Sequence, residues 1–186
     1  VKIKNNMKVC ILGAGLSSLT LAKALVNQKI YVDILAEKKN YFIDKSRTIG
    51  ISKTNIEFFK DHIINIEKIT WKLKKIEIYS DNLKKEKLLN FENKKKELFS
   101  IVKNFKLYDL LDNSLSKSKY FKKINFTKNF DFMKNYNLVV NTDYSNYNNK
   151  KYFSKNIIKK YDSLAYTTII HHQKVQNDVA IQIFTK

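Results

Sequence analysis

The sequence contains no proline, three glycines, one cysteine and one arginine among 186 residues. The single cysteine, Cys10, excludes an internal disulfide framework and fits a reducing compartment. No run of 18 apolar residues is present, so the sequence contains no helix built to span a bilayer. With 44% hydrophobic and 28% charged residues, the composition is that of a globular protein.

The charge is strongly basic, with a formal net value of +19. Arg47 is the only arginine among 36 basic residues, whereas recognition of phosphates and bases favours the bidentate arginine fork. The lysines are spread along the chain between Asn, Ile, Tyr and Phe. We therefore expect a solvated basic surface and no specific nucleic-acid partner, and attraction to anionic lipid headgroups stays an open alternative.

The first forty residues contain a recognisable pattern of apolar runs and glycines. Residues 8–12 predict a buried strand, and Gly13-Ala14-Gly15 predicts a turn. Apolar positions through residues 16–28 are typical of a helix packed on a sheet, and residues 30–36 predict a second strand. Strand, glycine turn, helix and strand make a βαβ unit, so the fold class is α/β and Rossmann-like.

Further along the chain the apolar period alternates between that of helices and that of strands. We predict helices over 54–64 and 101–115, and strands near 76–78, 88–91, 120–132, 137–141, 165–172 and 179–184, with irregular structure over 38–52 and a loop over 144–160.

The glycine turn carries the pattern of a dinucleotide fingerprint. Gly13 allows the tight turn, Gly15 lets the backbone approach a pyrophosphate, and Ser18 stands where a third glycine usually permits close packing of helix and strand. The following helix directs unpaired N–H groups and its positive end at the phosphates. The predicted phosphate-binding residues are Gly13, Ala14, Gly15, Leu16, Ser17 and Ser18.

An acidic residue follows the second strand at the expected distance. Glu37 lies 22 residues after Gly15, about the spacing at which a carboxylate accepts hydrogen bonds from the adenosine ribose hydroxyls. A carboxylate there also disfavours the 2′-phosphate of NADP. Spacing alone leaves FAD and NAD open as the dinucleotide.

Segments along nearly the whole chain, in order, resemble the FAD-dependent aromatic hydroxylases, which are the p-hydroxybenzoate hydroxylase-like monooxygenases. Residues 7–38 are similar to the family's start, and residues 44–52 resemble its D-x-R-x-x-A-L-S stretch, most closely in the ubiquinone-biosynthesis branch. Residues 75–81 resemble I-x-x-I-x-V-x-D, residues 101–111 resemble I-V-E-N-x-x-L-x-x-x-L, and residues 138–143 resemble L-V-V-G-A-D-G.

The resemblance implies FAD as the cofactor and adds two site residues. Arg47 is expected near the flavin or its pyrophosphate, and Asp143 close to the same region, although Asn141 and Tyr144 replace flanking glycines of the pattern. It also implies an FAD-binding domain over 1–70 and 100–160, with an inserted part of a substrate-domain β-sheet over 71–99 and 161–186.

The implied activity is hydroxylation of a polyprenylated phenol in ubiquinone biosynthesis, with NAD(P)H as electron donor. We expect a cytoplasmic protein with peripheral contact to the inner membrane and a place in a ubiquinone-biosynthesis complex. The family's later motifs G-D-A-A-H-x-x-x-P and G-P-x-A-x-L-P are missing. We therefore expect a chain truncated at its carboxyl end and inactive alone, and we assign no catalytic residue.

Two rival functions stay open. One is an NAD-binding oxidoreductase with the same βαβ start, and the other is a basic module that binds RNA or membranes without catalysis. A metal site is not predicted, because the adjacent His171 and His172 point to opposite faces of a strand and no further ligands accompany them.

Overall fold

The computed structural model describes residues 7–36, 44–80, 87–92, 97–125, 133–143, 157, 159–166, 168, 170, 173 and 178–185. These residues form ten strands and three α-helices, besides two single-turn 3-10 helices: β1 (Lys8–Leu12), α1 (Leu16–Asn27), β2 (Tyr31–Ala36), β3 (Thr48–Ser52), α2 (Lys53–His62), β4 (Thr70–Leu73), β5 (Lys75–Ser80), β6 (Lys87–Glu92), β7 (Phe99–Lys103), α3 (Asn104–Ser116), β8 (Phe121–Asn125), β9 (Leu138–Asn141) and β10 (Val179–Phe184). Within these ranges, no helix has the length and apolar character needed to cross a membrane.

The chain divides into two compact units. The first comprises Val1–Ile43, His62–Ile64 and Leu107–Tyr166, and the second comprises Asp44–Asp61, Asn65–Lys106 and Thr167–Lys186. The predicted assignment of segments to an FAD-binding and a substrate domain stays a prediction, because compactness alone does not assign a role to either unit.

The first unit is built on a four-stranded parallel sheet in the order β8-β2-β1-β9. The two central strands are mainly apolar, interrupted by Asp33 in β2, because such strands are buried on both faces. Helix α1 packs on β1 and β2, and its buried residues Leu19, Ala22 and Val26 follow helical spacing. The predicted βαβ unit and α/β fold class are confirmed.

The sheet holds a small apolar cluster with one buried charge beside it. The cluster consists of Cys10, Leu12 and Leu35, with Ile124, Tyr136 and Val139 packed against it. The Asp33 carboxylate is buried, and it is compensated by the Tyr136 hydroxyl and the Lys8 ammonium, each 2.8 Å from Oδ2. Burial, reinforced by the negative charge of Asp33, raises the pKa of the Cys10 thiol to about 12, so this cysteine is a neutral core residue.

The second unit contains two three-stranded sheets. In one, β7 pairs antiparallel with both β3 and β4. In the other, β5 pairs parallel with β10 and antiparallel with β6, with an irregularity between Ile78 and Tyr79. The strands predicted near 76–78, 88–91 and 179–184 are confirmed.

Three sequence predictions are wrong in this part of the chain. Strand β3 lies in the stretch predicted to be irregular, and Gly50 in it packs against the Phe99 ring, which would have to shift to admit a Cβ. The helix predicted from residue 101 begins at Asn104, since Ser100 and Val102 are buried with the period of a strand. The described residues 165, 166, 168 and 170 lie in no strand, and Tyr166 and Ile170 are exposed.

The carboxyl end of α1 supports a prediction of increased stability. Lys29 has φ of 60°, and the N–H groups of Lys29 and Ile30 donate to the carbonyls of Val26 and Leu25 in a Schellman arrangement. Glycine adopts this left-handed conformation without strain, but it also gives the unfolded chain more conformational entropy. We expect the net effect of Lys29→Gly to be a rise of about 0.5–1 kcal/mol in the free energy of unfolding. Thermal unfolding followed by circular dichroism measures it. The control Lys23→Gly, inside α1, should lower stability by about 1 kcal/mol, and equal losses in both variants would contradict the interpretation.

A second prediction concerns acid stability. Glu77 on β5 accepts hydrogen bonds from the ammonium groups of Lys75 and Lys87 and from the Tyr79 hydroxyl. The bond from Lys75, followed by those from Lys87 and Tyr79, lowers the Glu77 pKa from 4.5 to about 2. The ionised carboxylate therefore stabilises the fold above pH 4.5, and this contribution disappears as the pH falls towards 2.

The Glu77→Gln variant tests that contribution. We expect its unfolding temperature to change less than that of the wild type between pH 5 and pH 2.5, with the largest difference between the two proteins at neutral pH. The matched control Glu57→Gln removes an exposed carboxylate from α2 and should keep the wild-type pH profile. Parallel profiles for wild type and Glu77→Gln would show that the Glu77 cluster does not stabilise the fold.

Candidate functional site

The turn between β1 and α1 requires a glycine at its first position. Gly13 has φ of +109°, a conformation that residues with a side chain rarely adopt. Its N–H donates to the Leu35 carbonyl at 2.9 Å, which ties the turn to the end of β2. A Cβ at Gly13 would lie 2.8 Å from Oγ1 of Thr142 and 3.2 Å from Cβ of Asp143. The fold itself therefore explains this glycine.

The second glycine has no such explanation. Gly15 is exposed, its φ of −77° and ψ of −179° are accessible to any residue, and a Cβ there would meet no atom within 4 Å. Neither packing nor backbone conformation calls for glycine at this position. A bare backbone facing open space is what the close approach of a ligand requires.

The amino end of α1 lies next to that open space. Gly15 is its N-cap residue, and among the described residues no side chain caps the helix. The N–H groups of Leu16, Ser17 and Ser18 have no acceptor within the helix, because an α-helix leaves its first N–H groups unpaired. Together with the positive end of the helix dipole, they form a setting that favours an anion.

The contacts of Ser18 explain why serine stands at the third position of the fingerprint in place of glycine. Ser18 is buried, and its hydroxyl lies 2.6 Å from Oγ1 of Thr142. Thr142 follows β9, which pairs with β1, so the serine links the first turn of α1 to a neighbouring strand end. Sequence reasoning missed Thr142. The one available signal was its place after a predicted parallel strand, at the sheet edge where polar site residues collect.

Asp143 lies beside the glycine turn. Its Cβ is 3.2 Å from the position that a Gly13 Cβ would occupy, and its N–H donates to Oδ1 of Asn141 at 3.1 Å. The predicted residues 13–18 and Asp143 are thus brought together at the carboxyl edge of the parallel sheet. Their role in binding a cofactor stays a prediction.

The two remaining predicted site residues, Arg47 and Glu37, are not among the residues that form this edge in the described part of the first unit. Arg47 belongs to the second unit, where its carbonyl accepts the Asn104 N–H at 3.0 Å and its side chain is exposed. Nearby, two hydrogen bonds from Ser46 lower the pKa of the Asp44 carboxyl, and the Arg47 charge contributes less. Glu37, His171 and His172 lie outside the described residues.

Comparison with known proteins gives matches in structure only. No protein-family model matches the chain, and no curated protein sequence matches it. Among solved structures, PqsL, a probable FAD-dependent monooxygenase from Pseudomonas aeruginosa, is 16% identical with a TM-score of 0.52, over 64% of this chain and 33% of that one.

Two further structures give the same result. The p-nitrophenol 4-monooxygenase PnpA from Pseudomonas putida is 12% identical with a TM-score of 0.54, over 64% of this chain and 32% of that one. The 2-methyl-3-hydroxypyridine-5-carboxylic acid oxygenase is 15% identical with a TM-score of 0.53, over 66% of this chain and 32% of that one. This chain thus spans about a third of the length of these structures, and over that third it shares their α/β fold.

Proposed function

We propose that the chain is the dinucleotide-binding part of an FAD-dependent aromatic monooxygenase, and that the turn over residues 13–18 holds the diphosphate of FAD. One observation carries the proposal: Gly15 stands bare at the amino end of α1, although neither its conformation nor its neighbours require glycine. A Cβ at that position would occupy the space that a diphosphate needs. The shared fold and the sequence resemblance both support a flavin enzyme.

The chemistry of each side chain restricts the part of FAD that it can serve. Ionised Asp143 and Glu37 only accept hydrogen bonds and repel phosphate, so we assign them to hydroxyl groups, with Glu37 at the ribose. For Arg47, whose fork matches two phosphate oxygens, we keep the role that the sequence resemblance implies, near the flavin or its pyrophosphate. The α1 N–H groups would face the diphosphate charge.

Bound FAD would supply the redox and oxygen chemistry of hydroxylation, while this chain binds and orients the adenosine end of the cofactor. We further propose, from the sequence resemblance, NAD(P)H as electron donor and a polyprenylated phenol of ubiquinone biosynthesis as substrate. The basic surface would suit contact with anionic lipid and with partner proteins of that pathway. These activities belong to the whole protein.

Binding measurements on the purified chain test the proposal. In isothermal titration calorimetry we expect ADP and FAD to bind and NADP⁺ to bind at least about tenfold more weakly than ADP, because a carboxylate at the ribose repels a 2′-phosphate. NAD⁺ that binds more tightly than FAD would favour the NAD-dependent alternative. Steeply salt-dependent RNA binding without any nucleotide binding would favour the non-enzymatic module.

A further inference from the structure

Thr142 contacts three parts of the glycine turn at once. Its N–H and its hydroxyl both donate to the Leu12 carbonyl, at 3.0 and 2.8 Å, where β1 ends. Its Oγ1 lies 2.8 Å from the place of a Gly13 Cβ and 2.6 Å from the Ser18 hydroxyl. The end of β1, the turn and the first turn of α1 therefore meet at one side chain.

The direction of these hydrogen bonds follows from the chemistry of the groups. The Leu12 carbonyl can only accept, so the single hydroxyl proton of Thr142 is used there. Oγ1 of Thr142 must then accept from Ser18, whose hydroxyl is the donor. The result is a series of two hydrogen bonds, from Ser18 to Thr142 and from Thr142 to Leu12, in which each hydroxyl proton has one acceptor.

These hydrogen bonds hold the turn at both of its ends, at Leu12 and at Ser18. Ser18 is 1% exposed, so loss of its acceptor would leave a buried hydroxyl without a partner, a cost that shifting the first turn of α1 would relieve. That turn carries the unpaired N–H groups, and a displacement of about 1 Å weakens hydrogen bonds markedly. The Thr142 side chain is exposed, but its hydroxyl proton is used at the Leu12 carbonyl and its Oγ1 accepts from Ser18, so we assign this hydroxyl to the turn and not to the ligand.

We infer that Ser18 and Thr142 are a pair of positioning residues that hold the turn in the shape that receives a diphosphate. The inference rests on the proposed function, because it assigns these hydroxyls to the same binding site. It also states that the two residues work as one unit, so that losing either hydroxyl has nearly the effect of losing both.

A double-mutant cycle for ADP binding tests the inference. We expect Thr142→Val to weaken ADP binding by about tenfold, Ser18→Ala by a similar factor, and the double variant by no more than about thirtyfold instead of the hundredfold of independent sites. Thr142→Ser keeps the hydroxyl and should restore binding to within about threefold of the wild type. Binding is measured by calorimetry at 10 °C, well below the unfolding temperature that each variant shows by circular dichroism.

The outcomes separate the two proposals. A wild-type chain that binds no ADP overturns the proposed function and this inference with it. If the wild type binds ADP and folded Thr142→Val binds it equally well, only the inference is overturned. The same holds if Thr142→Ser loses as much ADP affinity as Thr142→Val. Losses that multiply in the double variant show two independent residues and also reject the pair.

Discussion

Gly15→Val abolishes ADP and FAD binding in a chain that stays folded. The valine side chain would project from the N-cap of α1 into space where a Cβ meets no atom within 4 Å, so only an approaching ligand would collide with it. We expect a loss of at least about a hundredfold in affinity, close to 3 kcal/mol. Exchanging the N-cap glycine costs up to about 1 kcal/mol, which lowers the unfolding temperature by only about 2–4 °C. Calorimetric titration and thermal unfolding together measure both effects.

Gly13→Ala is the matched variant, two residues earlier in the same turn. Here φ of +109° and the neighbouring Thr142 and Asp143 oppose any side chain, and we expect a loss of about 1–3 kcal/mol in stability. Gly13 is thus explained by the fold, whereas under the proposed function Gly15 serves the ligand. If Gly15→Val binds ADP like the wild type, the assigned site is wrong. If Gly15→Val unfolds the chain, Gly15 has a structural role and the main support for the proposed function is lost.

Local patterns were sufficient to predict the elements around the turn. Strand β1, helix α1 and strand β2 each carry a clear apolar pattern, broken in β2 only by Asp33, and glycines mark the junction between the first two. The same holds for β9, a short apolar run with polar residues at both ends. Strands β1 and β9 run parallel in one sheet, so their carboxyl ends lie at the same edge. This brings Asp143, after β9, next to Gly13, after β1.

Boundaries and long-range contacts could not be predicted in the same way. Strand β7 runs into α3 at Asn104 without glycine or proline between them, so the change of period was not visible. Gly50 did not indicate a strand, because the contact that favours glycine there is made by the Phe99 ring on another strand. Ser18 and Thr142 are 124 residues apart, and no local pattern reports that their hydroxyls meet.

Leu111→Ala should cause a large loss of stability. Its side chain is fully buried, in line with buried Leu107 and Leu115 at four-residue spacing along the helix. Truncation removes buried methyl groups and leaves a cavity that the surrounding side chains fill only partly, which costs about 2–5 kcal/mol. Urea unfolding followed by circular dichroism measures this as a lower midpoint with an unchanged slope.

The neighbouring leucine provides the control. Leu110 lies on the same helix but is only half-buried, so Leu110→Ala makes the same chemical change with less apolar surface lost from the core. We expect it to cost about 1 kcal/mol, well below the loss in Leu111→Ala. Equal losses would mean that α3 does not present its Leu107–Leu111–Leu115 stripe to the core. Because domains are stable by only about 5–15 kcal/mol, the larger loss would leave a measurable unfolded fraction, and ADP binding would weaken in proportion to that fraction and not through the turn itself.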